Sequence, residues 1–182
     1  MIGSLALAVL SVSLLVLNSP VEIPITEHIQ STIHWGGGCI KIDSVDPERQ
    51  TDWECRENML TNLGANMTTD LQMGTTNGNI SVIYIGSLSG SSQAVTDKNM
   101  TGTLTGNGLT PAYGTIAYVG QANYSTEYKF IYTGSSQTIN VTGLGNDTTT
   151  ANNCLFAQFN YTTRTIDNGD NVTVILYNAN KE

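Results

Sequence analysis

With 7 basic and 15 acidic side chains in 182 residues, the chain carries a net charge of -8 and a pI near 4.5. Such a balance offers no basic face to phosphates and excludes nucleic acid as a partner. Charged residues make up 12% of the chain, about half the usual share, so the surface draws its polarity from Gly, Asn, Ser and Thr.

Met1 to Leu17 reads MIGSLALAVLSVSLLVL, without charge, proline or aromatic ring, and the first ionisable side chain is Glu22. A helix that is apolar on every face has no side to turn toward water, so lipid or protein must surround it. At about 1.5 Å per residue this run is a rod of roughly 26 Å, near the lower limit for crossing a bilayer. Small residues punctuate it, and Ser4 and Ala8, four apart, let neighbouring helices approach closely. Leu5, Leu7, Ala8, Leu10, Leu14, Leu15 and Leu17 are the expected subunit-packing positions. A cleaved signal peptide needs a basic start and a small-x-small cleavage site. Here the start is uncharged and Asn18-Ser19-Pro20 is a poor cleavage context, so the segment is expected to be retained.

Pro20 and Pro24 interrupt any helix, because each removes a donor and disfavours helix in the residue before it. Thr26 can cap a second helical turn with Ile29 and Ile33 on one face, and Gly36-Gly37-Gly38 is expected to end it as a flexible neck. His28 and His34 lie six apart, on different helical faces, and read as surface residues, not metal ligands.

Nine of the charged residues fall between Lys41 and Glu57. Mixed signs predict a solvated, salt-bridged loop; a metal site is the sharper alternative, without a recognised ligand spacing. Three cysteines, Cys39, Cys55 and Cys154, allow three single disulfides. In an oxidising setting Cys39 with Cys55 is the favoured pair, stapling the charged loop at a gain of about 3 kcal/mol. Cys154, within an apolar run, reads as a buried thiol.

Beyond Met59 the chain becomes short alternating segments between Gly- and Asn-rich turns. Strands are predicted over 80–85, 101–105, 113–119, 127–132, 138–142, 155–163 and 172–177. Tyr128, Phe130 and Tyr132, and again Leu155, Ala157, Phe159 and Tyr161, should point at the core. The fold class expected is α+β: an apolar N-terminal helix kinked near Pro20 and Pro24, then an antiparallel β-sandwich head. Three regions follow: a stalk over 1–35, a neck and disulfide-clipped loop over 36–58, and the sandwich over 59–182.

Eight Asn-x-Ser/Thr triplets begin at Asn66, Asn79, Asn99, Asn123, Asn140, Asn146, Asn160 and Asn171, all after Cys55. Their number exceeds what composition supplies by chance, and N-linked glycans are expected at several of them. Asn140 and Asn160 each sit between apolar neighbours, so strand phase predicts that both project outward. No catalytic constellation appears, so the chain is not expected to be an enzyme, and no cofactor is implied. Asp167-Asn168-Gly169-Asp170 has the look of a hairpin turn, with calcium as the alternative.

An uncharged apolar N-terminal helix followed by a β-rich polar domain resembles the mature form of archaeal type IV pilins and archaellins. In that superfamily a short basic leader is removed and the helix begins at residue 1. Leu5 stands where bacterial pilins usually carry a glutamate, a departure that favours the archaeal branch. The resemblance implies an extracellular, cell-surface filament, pilus or archaellum, assembled from copies of the chain that wait in the membrane. Two other readings compete. One is a secreted fibre subunit or adhesin from which residues 1 to 19 are removed as a signal peptide and whose arm from Val21 to Ile33 completes the next subunit's sheet as a donor strand. The other is a membrane-anchored glycoprotein of a cell envelope or virion. No receptor or surface ligand is legible.

Overall fold

The computed structural model of the protein describes residues 34–72, 80–89, 93–120, 123–149 and 155–177. The apolar run from Met1 to Leu17, the kink at Pro20 and Pro24, Asn79 and Cys154 lie outside the described residues.

The rest is mostly β. In chain order the elements are β1 (His34–Asp43), β2 (Glu54–Leu60), α1 (Asn62–Gln72), β3 (Val82–Gly86), β4 (Ala112–Tyr113), β5 (Thr115–Gly120), β6 (Asn123–Ile131), β7 (Gln137–Gly145), β8 (Leu155–Ile166) and β9 (Asn171–Tyr177). The strands do not divide into the two facing layers of a sandwich. They form one antiparallel sheet of nine strands, ordered β4-β3-β7-β8-β2-β1-β9-β6-β5.

Gly114 nearly closes this sheet into a barrel. β4 and β5 stand at opposite ends of the strand order, yet Gly114 alone separates them in the chain. Before it, Ala112 and Tyr113 pair with β3; after it, the chain pairs with β6. The Gly114 N–H donates to the Ser81 carbonyl at 2.7 Å. A side chain here would put its Cβ 2.6 Å from Thr126 Cγ2 and 2.9 Å from the Glu127 carbonyl oxygen, so only glycine lets the two edges meet.

The interior is filled by Ile40, Ile42, Ile83, Ile85, Phe130, Ile139, Leu144, Phe156, Phe159 and Val174. β3 is buried on both faces because its residues alternate between two cores. Ile83 and Ile85 face the interior, while Val82 and Tyr84 join Met100, Val141 and Leu155 in a smaller cluster. The segment after β3 covers this second cluster. Leu88 packs on it, and main-chain bonds from Ser87 to Gly102, Leu104 to Ile85 and Leu155 to Lys98 hold the cover at 2.9–3.0 Å.

Gly36-Gly37-Gly38 is not a neck. These residues belong to β1, which begins at His34. Packing requires the small residues: a Cβ on Gly37 would lie 2.5 Å from the Tyr177 hydroxyl, and one on Gly38 would lie 2.2 Å from the Phe159 ring. The predicted strand over 101–105 supplies only a single bridge, Gly86 with Thr103. α1 begins at a Thr61 cap, whose hydroxyl accepts from the Gly64 N–H at 2.9 Å and donates to the Leu155 carbonyl at 2.7 Å.

Candidate functional site

β1 starts and β9 ends at the same end of the barrel, where Gly37 pairs with Tyr177. We call this end the base. The β1–β2 loop and the β8–β9 turn lie at the other, distal end.

Asp170 organises the distal turns. Its side chain is fully buried, and its Oδ1 accepts from the Ser44 hydroxyl at 2.6 Å and the Val45 N–H at 3.3 Å, while Oδ2 accepts from the Asp167 N–H at 2.9 Å. Burial alone pushes its carboxyl up; the Ser44 hydroxyl, the two N–H donors and the Arg49 guanidinium together hold it below the ordinary carboxylate range. Arg49 also reaches Asp167 at 2.8 Å and Asp46 at 3.3 Å. The carboxylates weighed for calcium thus surround a guanidinium. Among the described residues no cluster of His, Cys, Asp and Glu fits a metal ion. Gly169, at a φ of 92°, makes the tight turn between these carboxylates.

The disulfide joins Cys39 of β1 to Cys55 of β2, at directly opposed positions in the ladder. Beside it Glu54 gathers four donors. Oε1 accepts from the Thr162 N–H and hydroxyl, both at 2.9 Å, and from Arg56 Nη2 at 3.0 Å; Oε2 accepts from Arg164 Nη2 at 3.2 Å. Burial raises its carboxyl, but Thr162, Arg164 and Arg56 outweigh it and the net shift is downward.

The acceptor asparagines fall into distinct environments. Asn66 is exposed on α1, and Asn160 is exposed on β8 opposite Val141. Asn171 is half-buried in a row with Asp43 and Ile131; since the next row, Ile42, Val172 and Phe130, lies in the core, Asn171 takes the outer face. Asn99 and Asn146 are half-buried. Asn123 opens β6. Asn140 does not simply project outward. It sits at a register shift in β7, where its Oδ1 accepts from the Leu88 N–H at 2.7 Å and its Nδ2 donates to the Leu88 carbonyl at 3.0 Å. The amide mimics a strand's main chain and ties β7 to the cover of the second core. Nothing in the sequence signals this bulge.

Sequence reasoning also missed Asn58, fully buried with its Nδ2 donating to the Gly37 carbonyl at 2.9 Å. Among the described residues no helix is long and apolar enough to cross a membrane. No protein-family model matches the chain, and searches of curated proteins and of solved structures return no match.

Proposed function

We propose that the chain is a structural subunit of an extracellular filament, similar to archaeal type IV pilins and archaellins, and not an enzyme. The uncharged run from Met1 to Leu17 carries this reading. In the membrane it waits in lipid; in the filament it packs against copies of itself, and each buried leucine or valine contributes roughly 1.5 to 3 kcal/mol. In this reading the β domain forms the outer surface of the filament. N-linked glycans on exposed asparagines, Asn66 and Asn160 foremost, hydrate that wall in place of charged side chains.

Ala8→Glu tests the reading by placing a charge in the dry helical core. Filaments should vanish from electron micrographs while the barrel remains folded by circular dichroism. Normal filaments from this variant refute the proposal. The intact mass of purified protein should exceed the bare 19.5 kDa; a mass equal to it removes the glycan wall.

One observation favours the donor-strand reading. β5 stands last in the strand order and, among the described residues, pairs only with β6; beyond the contact at Gly114 its second edge keeps main-chain groups that an arm such as Val21 to Ile33 of another copy would pair with. The N-terminal peptide of the mature protein separates the two: apolar from residue 1 for the helical filament, starting near residue 20 for strand donation.

A further inference from the structure

Among the recesses of the described residues is one to which the filament reading gives no role. It opens beside the Cys39–Cys55 bridge, holds about 540 Å³, and is lined by Thr51, Asp52, Trp53, Arg56, Thr162 and Arg164 among others. Small-molecule sites commonly occupy roughly 300–1,000 Å³.

The chemistry of the lining is specific. Trp53 is 46% exposed, an aromatic surface left in water. Glu54 spends both carboxylate oxygens on Thr162, Arg56 and Arg164, so its effect is to hold the two guanidinium groups in fixed orientations. Each arginine uses only Nη2 in this arrangement and keeps other N–H donors for a ligand. Asp52, exposed, supplies free acceptors. Arg56 and Arg164 balance Glu54 and Asp52 in charge, so the recess does not select ions. Donors and acceptors side by side suit hydroxyl groups, which both give and receive hydrogen bonds, and a flat aromatic face suits the C–H face of a pyranose ring.

We propose that this recess binds a neutral, hexose-containing saccharide, one ring lying on Trp53 and its hydroxyls bonded to Arg56, Arg164 and Asp52. Two sources share this chemistry: the N-linked glycan of another copy of the chain, and a foreign polysaccharide. Neither requires the filament reading to hold, because binding is measured on the soluble or detergent-held full chain.

Trp35 is the second tryptophan, so Trp35→Phe makes Trp53 the sole indole reporter, and calorimetry on the unaltered chain guards against damage from that change. The ligands are maltose, cellobiose and glycan released from the native protein, each to about 10 mM, where a millimolar site saturates. A saturable change in Trp53 emission and heat is expected, weakened at least tenfold by Trp53→Ala at an unchanged melting temperature. Saturation by the disaccharides points to foreign sugar, and by released glycan alone to the chain's own. Absence of saturation with all three overturns the proposal. So does full affinity in Trp53→Ala, or tenfold tighter binding of an acidic disaccharide than of its neutral counterpart.

Discussion

Replacing Asn140 by alanine separates its structural duty from its place in a glycosylation triplet. The amide makes two hydrogen bonds to one residue's main chain, at 2.7 and 3.0 Å, and both stand on the edge of the second core. Each neutral bond of this kind contributes about 0.5–1.5 kcal/mol net, so the pair is worth roughly 1–3 kcal/mol. For a domain of this size that lowers the melting temperature by roughly 2–12 °C. Urea unfolding of unglycosylated protein gives the free energy. Hydrogen exchange reads the local event, with the Leu88 amide losing protection before the barrel strands do. Asn160→Ala, at an exposed position, should stay within about 0.5 kcal/mol of wild type. A glycan on Nδ2 would compete with the bond to the Leu88 carbonyl, so peptide mapping of native protein should find Asn140 bare and Asn160 modified. Sugar on Asn140, or wild-type stability and exchange in Asn140→Ala, refutes this assignment.

Two further outcomes follow from the geometry. Gly114→Val drives a branched side chain against Thr126 Cγ2 and the Glu127 carbonyl, and should cost about 1–3 kcal/mol or more by forcing apart the point of closure; an unchanged denaturation midpoint would contradict the closure. Asp170 has a lowered carboxyl pKa, so its stabilisation is complete above the unfolded value of about 3.9 and is lost as pH falls through the folded value. Asp170→Asn should therefore destabilise the protein at neutral pH and flatten the acid limb of its stability curve, leaving the slope due to Glu54. An equally steep acid limb in that variant would show that Asp170 does not carry it.

Alternation made most of the later strands readable. Phe130, Tyr132, Ala157, Phe159 and Tyr161 are buried as their phase predicts, with Tyr128 partly buried against the same core. Leu155 is buried too, but in the second cluster, because the register of β8 against β7 shifts between Ala157 and Leu155 and breaks the alternation there. β1 and β2 escaped notice for opposite reasons. Three glycines erased the apolar pattern of one, and the charges of Glu54, Arg56 and Glu57 masked the other. α1 was equally quiet, since NLGANMTTDLQ has no continuous apolar stripe and its cap lies in Thr61, one threonine among many. Barrel and sandwich strands share the same alternation, and the difference rests on Gly114, which in sequence looks like any turn glycine. Of the candidate site residues, the Cys39–Cys55 pairing was within reach of spacing and redox logic. The grouping of Trp53 with Arg164 was not, because more than a hundred positions separate them and only the pairing of β2 with β8 brings them together.

The position of the disulfide within β1 determines how the barrel meets a pulling force. If the N-terminal run is anchored and the distal end is held, tension enters at His34 and runs along the axis that β1 shares with its antiparallel neighbours. The bonds of β1 to β2 and to β9 are then loaded together, in shear, and cannot open one by one. Any peeling that does begin can free only residues 34–38. At Cys39 the load crosses a covalent bond into β2, which is paired in turn with β8, so the next step must strain two strands at once.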